Sequence, residues 1–195
     1  MCLIIIKPPV TDLPKDDLLK QAFINNPHGA GIAYNDKGSV IIKKGYMNFP
    51  SFIEDYHKLQ EGINLYTKTV IFHFRKASRG KVIPELTHPF PISDNADILK
   101  KHYCKTDYAV FHNGTIKILD KEVKKSKGLS DTFIFTLKYL FKLAQNEGWF
   151  YRMANKDLLE LLVEGKMCIL NGFGQVMCVG EFYSNNGLLF SQEIR

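Results

Sequence analysis

The chain has 195 residues, 45% of them hydrophobic, which suffices for one layered core and calls for no second folding unit, so a single domain over 1–195 is expected. The 26 basic residues outnumber the 20 acidic ones and give a net charge of +6, yet the lysines are scattered, so nucleic-acid binding is not indicated as the main role. The apolar run Leu3 to Ile6 is too short for a membrane span or a signal-peptide core, and a soluble, cytoplasmic protein with no membrane partner is expected.

In chain order, the β-branched residues after Cys2 followed by Pro8 and Pro9 predict a buried strand that stops abruptly. Leu18, Leu19, Ala22 and Phe23 have helical spacing over Asp16–Ile24. A glycine-bearing connection, Asn25 to Gly31, leads into strands at Ile32–Tyr34 and Val40–Lys43, joined by a turn at Asp36, Lys37 and Gly38. A short helix over 50–60 and a strand over Thr69–Arg75 follow. After an irregular proline-rich stretch, Asp107–His112 and Thr115–Leu119 flank Asn113-Gly114, which reads as a hairpin turn. Lys121, Lys124, Lys125 and Lys127 fall in a polar stretch ending at Gly128 and read as a solvated loop. Ser130 caps a helix whose apolar stripe is Phe133, Ile134, Leu137, Leu140, Phe141 and Ala144. A helix over Asp157–Val163 and strands at Met167–Leu170, Gln175–Val179 and Leu188–Ser191 complete the chain. Strands at both ends with helices between them point to packed sheets covered by helices.

Of the four cysteines, Cys104, Cys168 and Cys178 show neither a CxxC pair nor zinc-ligand spacing, so no metal and no cofactor is expected. Cys168 and Cys178, in apolar strand-like sequence, read as buried small hydrophobes. Cys2 differs by position. Removal of Met1 would leave it with a thiol and a free α-amine, and that amine, with a reference pKa of about 7.7–8.0, can act as base for the thiol. By itself a Met-Cys start is as compatible with a buried strand residue as with a nucleophile.

Four further segments change that balance: Asn26-Pro-His-Gly-Ala-Gly-Ile-Ala-Tyr34, His73-Phe-Arg-Lys-Ala-Ser78, Thr87-His-Pro-Phe90 with Phe111-His-Asn-Gly114, and Ser130-Asp-Thr132. In this order behind Met-Cys, they resemble the class II glutamine amidotransferase domain, in a standalone form. The resemblance runs from Cys2 through Thr132 and implies an α+β, four-layer αββα sandwich of two mostly antiparallel sheets, of the N-terminal-nucleophile (Ntn) hydrolase type. It further implies that Cys2 attacks the side-chain amide of glutamine and that Asn113 and Gly114 form the oxyanion hole. Arg75 would hold the α-carboxylate, Asp131 the α-ammonium, and His88 would line the pocket. The ammonia released would pass to a separate acceptor synthase.

Residue by residue, these roles suit the side chains: arginine is a planar bidentate donor for carboxylates, and a side-chain amide with a backbone N–H can meet an alkoxide. Each also has a structural alternative: a surface ion pair for Arg75, a turn for Asn113-Gly114, and helix-dipole complementation for Asp131. Lys76, Ser78 and Leu86 depart from the family's pattern. They keep open a hydrolase of another γ-glutamyl-type amide, while retention of Met1 would favour a binding protein on the same fold without turnover.

Overall fold

The computed structural model describes residues 1–193. Its elements are β1 (Leu3–Lys7), α1 (Asp16–Asn25), β2 (Ala30–Asp36), β3 (Ser39–Tyr46), α2 (Phe49–Gly62), β4 (Val70–Phe74), β5 (Phe90–Pro91), α3 (Ala96–Lys100) and β6 (Tyr103–Thr106). They continue with β7 (Tyr108–Thr115), α4 (Asp120–Lys125), α5 (Asp131–Phe135), α6 (Phe141–Ala144), α7 (Met153–Leu162), β8 (Glu164–Asn171), β9 (Val176–Val179), β10 (Tyr183–Asn185) and β11 (Leu188–Phe190). The strands form two sheets, ordered β10-β11-β1-β4-β2-β3-β6 and β5-β7-β8-β9, with antiparallel pairing throughout.

Three apolar clusters set the layer order. Leu3, Ile5, Ile32, Phe72 and Phe74 pack under Leu19, Phe23, Phe52 and Tyr56 of α1 and α2. Residues on the other face of the same sheet, Ile4, Ile6, Ile42 and Ile71, face Ala109, Phe111, Cys168 and Leu170 of the smaller sheet. Val110, Met167 and Ile169, on that sheet's other face, pack against Phe133, Ile134, Leu140, Trp149 and Leu159. The order is helix, sheet, sheet, helix, in an α+β chain. β1 is apolar at every position but its last because both of its faces are covered, which removes the alternation a half-exposed antiparallel strand would show.

Ser130 caps α5, its Oγ accepting from the Phe133 amide at 3.2 Å. The helix passes through a π-helical turn, Thr136–Leu140, into α6, and Thr136 Oγ1 donates to the Thr132 carbonyl at 2.8 Å where the pitch changes.

The structure corrects the hairpin expected at Asn113-Gly114. β7 runs straight through both residues and pairs with β8, Asn113 opposite Lys166 and Gly114 opposite Gly165. A Cβ on either glycine would meet the facing backbone, 2.7 Å from the Gly114 Cα in the case of Gly165, so the pair allows an approach that two ordinary residues would not. The expected strand over Thr115–Leu119 is instead the end of β7 and a 3₁₀ turn, Lys117–Leu119. The lysine-rich loop is in part the short helix α4. β6, β10 and α3 carry too little periodicity to have been anticipated.

Candidate active site

The arrangement is built from the amino end of β1 upward. Leu3 pairs with Phe74, so Cys2 lies where the ladder extends toward Arg75, at the end of β4. The half-buried Cys2 thiol contacts the Lys76 backbone: the Lys76 amide donates to Sγ at 3.4 Å, and Sγ lies 3.7 Å from the Lys76 carbonyl. Burial pushes the thiol pKa up, and Asp131 adds to this, against the lowering pull of the Lys76 amide, the Arg75 guanidinium and the terminal amine. The thiol is therefore protonated near neutral pH and needs a base before it can act as a nucleophile.

Arg75 is almost wholly buried. Burial pulls its pKa down, and the neighbouring Cys2 and Asp131 favour the charge. Its Nη1 donates to the Lys81 carbonyl at 2.8 Å and its Nη2 to the Arg79 carbonyl at 3.0 Å. The guanidinium thus folds the 76–81 loop around itself and keeps the rest of its N–H fork for another acceptor. The loop is fixed from outside as well, by Ala77 donating to His28 Nδ1 at 2.9 Å and by an ion pair between Arg79 and Asp120.

Asn113 is buried on β7, on the face toward the large sheet. Its Nδ2 donates to Ser191 Oγ at 3.0 Å, and its Oδ1 has no partner within the protein. Ser191 also accepts from the Ile4 amide at 2.9 Å, while its own amide donates to the Ile4 carbonyl at 3.0 Å. A single serine therefore fastens the Asn113 amide to β1, two positions on from Cys2. Gly114 lies beside it at the close approach of β7 and β8.

Asp131 opens α5 with its carboxylate buried. Oδ2 accepts from the Ile116 amide at 2.9 Å and Oδ1 from the Thr132 amide at 2.8 Å, tying the end of β7 to the start of the helix. It acts through space on both Cys2 and Arg75.

His88 is placed differently. It stacks on His73 with ring centroids 4.2 Å apart, lies 4.7 Å from Phe90, and has neither ring nitrogen bonded within the protein. Burial holds it well below the ordinary histidine pKa. It belongs to a buried group with His73, whose Nε2 meets the His112 carbonyl at 3.0 Å, and His112, whose Nδ1 meets Thr132 Oγ1 at 2.8 Å. Gly31 lets the His88 segment lie against β2, since a Cβ there would run into the His88 carbonyl and come within 2.8 Å of the Lys44 Cβ.

The structure thus brings Cys2, Arg75, Asn113 and Asp131 to one end of the two sheets, puts Gly114 beside Asn113, and sets His88 back in the interior. The residue missed from sequence is Ser191. A serine at a strand end carries no spacing signal, and only tertiary contact shows what it holds. Among the described residues no group of three or more His, Cys, Asp or Glu is arranged to hold a metal ion, and no helix is long and apolar enough to cross a membrane. No protein-family model matches the chain, and no curated protein matches it.

Proposed function

We propose that this chain is a cysteine-nucleophile amidohydrolase that releases ammonia from glutamine, on a fold of the Ntn-hydrolase type and in the manner of a class II glutamine amidotransferase domain. The observation that carries the reading is the meeting of the Cys2 thiol, the Arg75 guanidinium and the Asp131 carboxylate within reach of one another's charge, with Asn113 tethered to the strand that begins at Cys2.

In this reading Met1 is removed and the freed α-amine of Cys2 takes the thiol proton. The thiolate attacks the γ-carbonyl of glutamine, and the resulting alkoxide is met by Asn113 and Gly114. The α-amine returns the proton to the leaving nitrogen, ammonia departs, and water resolves the γ-glutamyl thioester to glutamate. The free donors of Arg75 and the carboxylate of Asp131 grip the amino-acid end of the substrate. The ammonia is consumed by a synthase on another polypeptide.

The test joins intact mass with glutamate release from glutamine. Protein lacking Met1 is expected to turn over, and Cys2→Ala to be inactive. Asn113→Ala is expected to lose roughly 10²–10³-fold in kcat, the usual cost of an oxyanion donor. Full activity in Cys2→Ala, or in protein that retains Met1, overturns the reading. A second reading, hydrolysis of another γ-glutamyl amide, is favoured by the engagement of Arg75 with the carbonyls of its own loop, which leaves fewer donors for a free α-carboxylate. Parallel assays on γ-glutamyl amides separate the two.

A further inference from the structure

Behind the loop that Arg75 holds lies a cavity of about 420 Å³, outside the arrangement around Cys2. Its walls come from three separate stretches of chain: Lys81 to Leu86, the end of α3 at Lys100, and the turn Ser126–Leu129. Three lysines line it, Lys81, Lys100 and Lys127, against Glu85. Lys100 is paired with Asp97 at 3.3 Å, whereas the other two, both exposed, form no ion pair with the described residues. The remaining wall is apolar, with Ile83, Leu86 and Leu129.

This wall is held in place. The buried Lys44 donates to the Glu85 carbonyl at 3.0 Å and to the Leu99 carbonyl at 2.7 Å, joining two of the three stretches from behind. The Lys81 amide donates to the Gly128 carbonyl at 2.8 Å, which joins the third. The Lys81 stem lies across Gly128 so closely that a Cβ there would come within 2.7 Å of it, and Gly128 has φ +124°. Lys127 occupies the left-handed region at φ +56°, a conformation costly for a side chain of its kind.

We infer that this cavity binds a small organic phosphate, with the phosphate on the ammonium groups of Lys81 and Lys127 and the organic body against Ile83, Leu86 and Leu129. Lysine ammonium groups act as compact point charges and are common phosphate binders, needing no fixed planar match to the anion. Apolar wall and cationic rim together call for a phosphate ester rather than a bare anion. The site is also wired to the one described above, because the Lys81 residue that lines it offers its carbonyl to Arg75. Occupancy ties the 79–81 loop to the 126–129 turn and so steadies the guanidinium. Binding itself does not depend on the chemistry proposed for Cys2.

Calorimetric titration of the full chain with phenyl phosphate tests this, with phenol and inorganic phosphate at matched ionic strength as comparisons. Saturable one-to-one binding is expected, tighter for phenyl phosphate than for either comparison. Lys81→Gln and Lys127→Gln, which keep most of the stem, are each expected to weaken it about tenfold, the loss of one charge-assisted hydrogen bond. Hydrogen exchange at the Lys81 amide is expected to slow on binding. Absence of saturable binding, equal binding of phenyl phosphate and inorganic phosphate, or unchanged affinity in the double variant overturns the proposal. None of these readouts passes through glutamine hydrolysis, so failure here and failure of the glutaminase reading are told apart.

Discussion

Ser191 shows how much can hang on one side chain. Its hydroxyl satisfies the Ile4 amide and the Asn113 side chain together, and both donors are buried. Ser191→Ala strands them, at a cost of roughly 1–3 kcal/mol for a buried unsatisfied group. The melting temperature is expected to fall and, on the proposed glutaminase reading, kcat to fall about tenfold with KM little changed, because the Asn113 amide loses its orientation while Arg75 and Asp131 keep theirs. Ser191→Thr, which restores the hydroxyl, should recover most of kcat. A drop in stability with kcat intact would reduce Ser191 to a structural role. Cys2, Arg75, Asn113 and Asp131 stand out in the sequence because they sit in short segments in a set order. Ser191 does not, since nothing in its neighbours predicts a contact with residues at the far end of the chain.

At the scale of elements, the β7–β8 pair turns on the two facing glycines. Gly114→Ala drives a methyl into the Glu164 carbonyl and the Gly165 backbone, and is expected to destabilise the protein by about 1–3 kcal/mol, as overpacking does. Denaturant midpoints for Gly114→Ala and a distant exposed Gly62→Ala control, where nothing lies within 4 Å, check the assignment. A shift equal to the control would remove the close approach from the account. The same position explains why the strand was misread. Asn-Gly carries the strongest local turn signal, and local chemistry is all a sequence window contains. The partner that makes Gly114 a strand residue lies some fifty positions downstream, at Gly165. The long apolar runs of β1 and β4 and the capped helix at Ser130 were legible because burial on two faces and a cap leave local marks.

For the molecule as a whole, the histidines buried beside the inter-sheet core make stability depend on pH. Burial lowers His73 to about 3 and holds His88 and His112 below the ordinary value, so all are neutral in the folded protein while an unfolded chain protonates near 6.5. The unfolded state then binds more protons below that pH, and stability is lost as pH falls from about 6.5 toward the folded values, by roughly 1.4 kcal/mol per pH unit for His73, with His88 and His112 acting in the same direction. Thermal melts between pH 7 and pH 4 should show this decline. His88→Phe, which replaces two unbonded ring nitrogens by carbon between aromatic neighbours, should melt higher than the parent at pH 5 and flatten the profile. A profile with the same slope in the variant would assign the decline to other groups. The layered architecture was legible from the distribution of strands and helices, whereas the interior placement of His88, expected to line the pocket, was not, because its irregular proline-rich stretch does not say which side is covered.

One further consequence follows from the place of β11. It docks beside β1, and the serine directly after it secures both β1 and Asn113, so the first and last stretches of the described chain complete each other. During synthesis Cys2 is made long before Ser191, so the link from β1 through Ser191 to Asn113 closes only once residues 188–191 have emerged. In the proposed reading, a fragment cut short before residue 188 leaves Asn113 untethered from β1 and should be inert however well its remaining core folds.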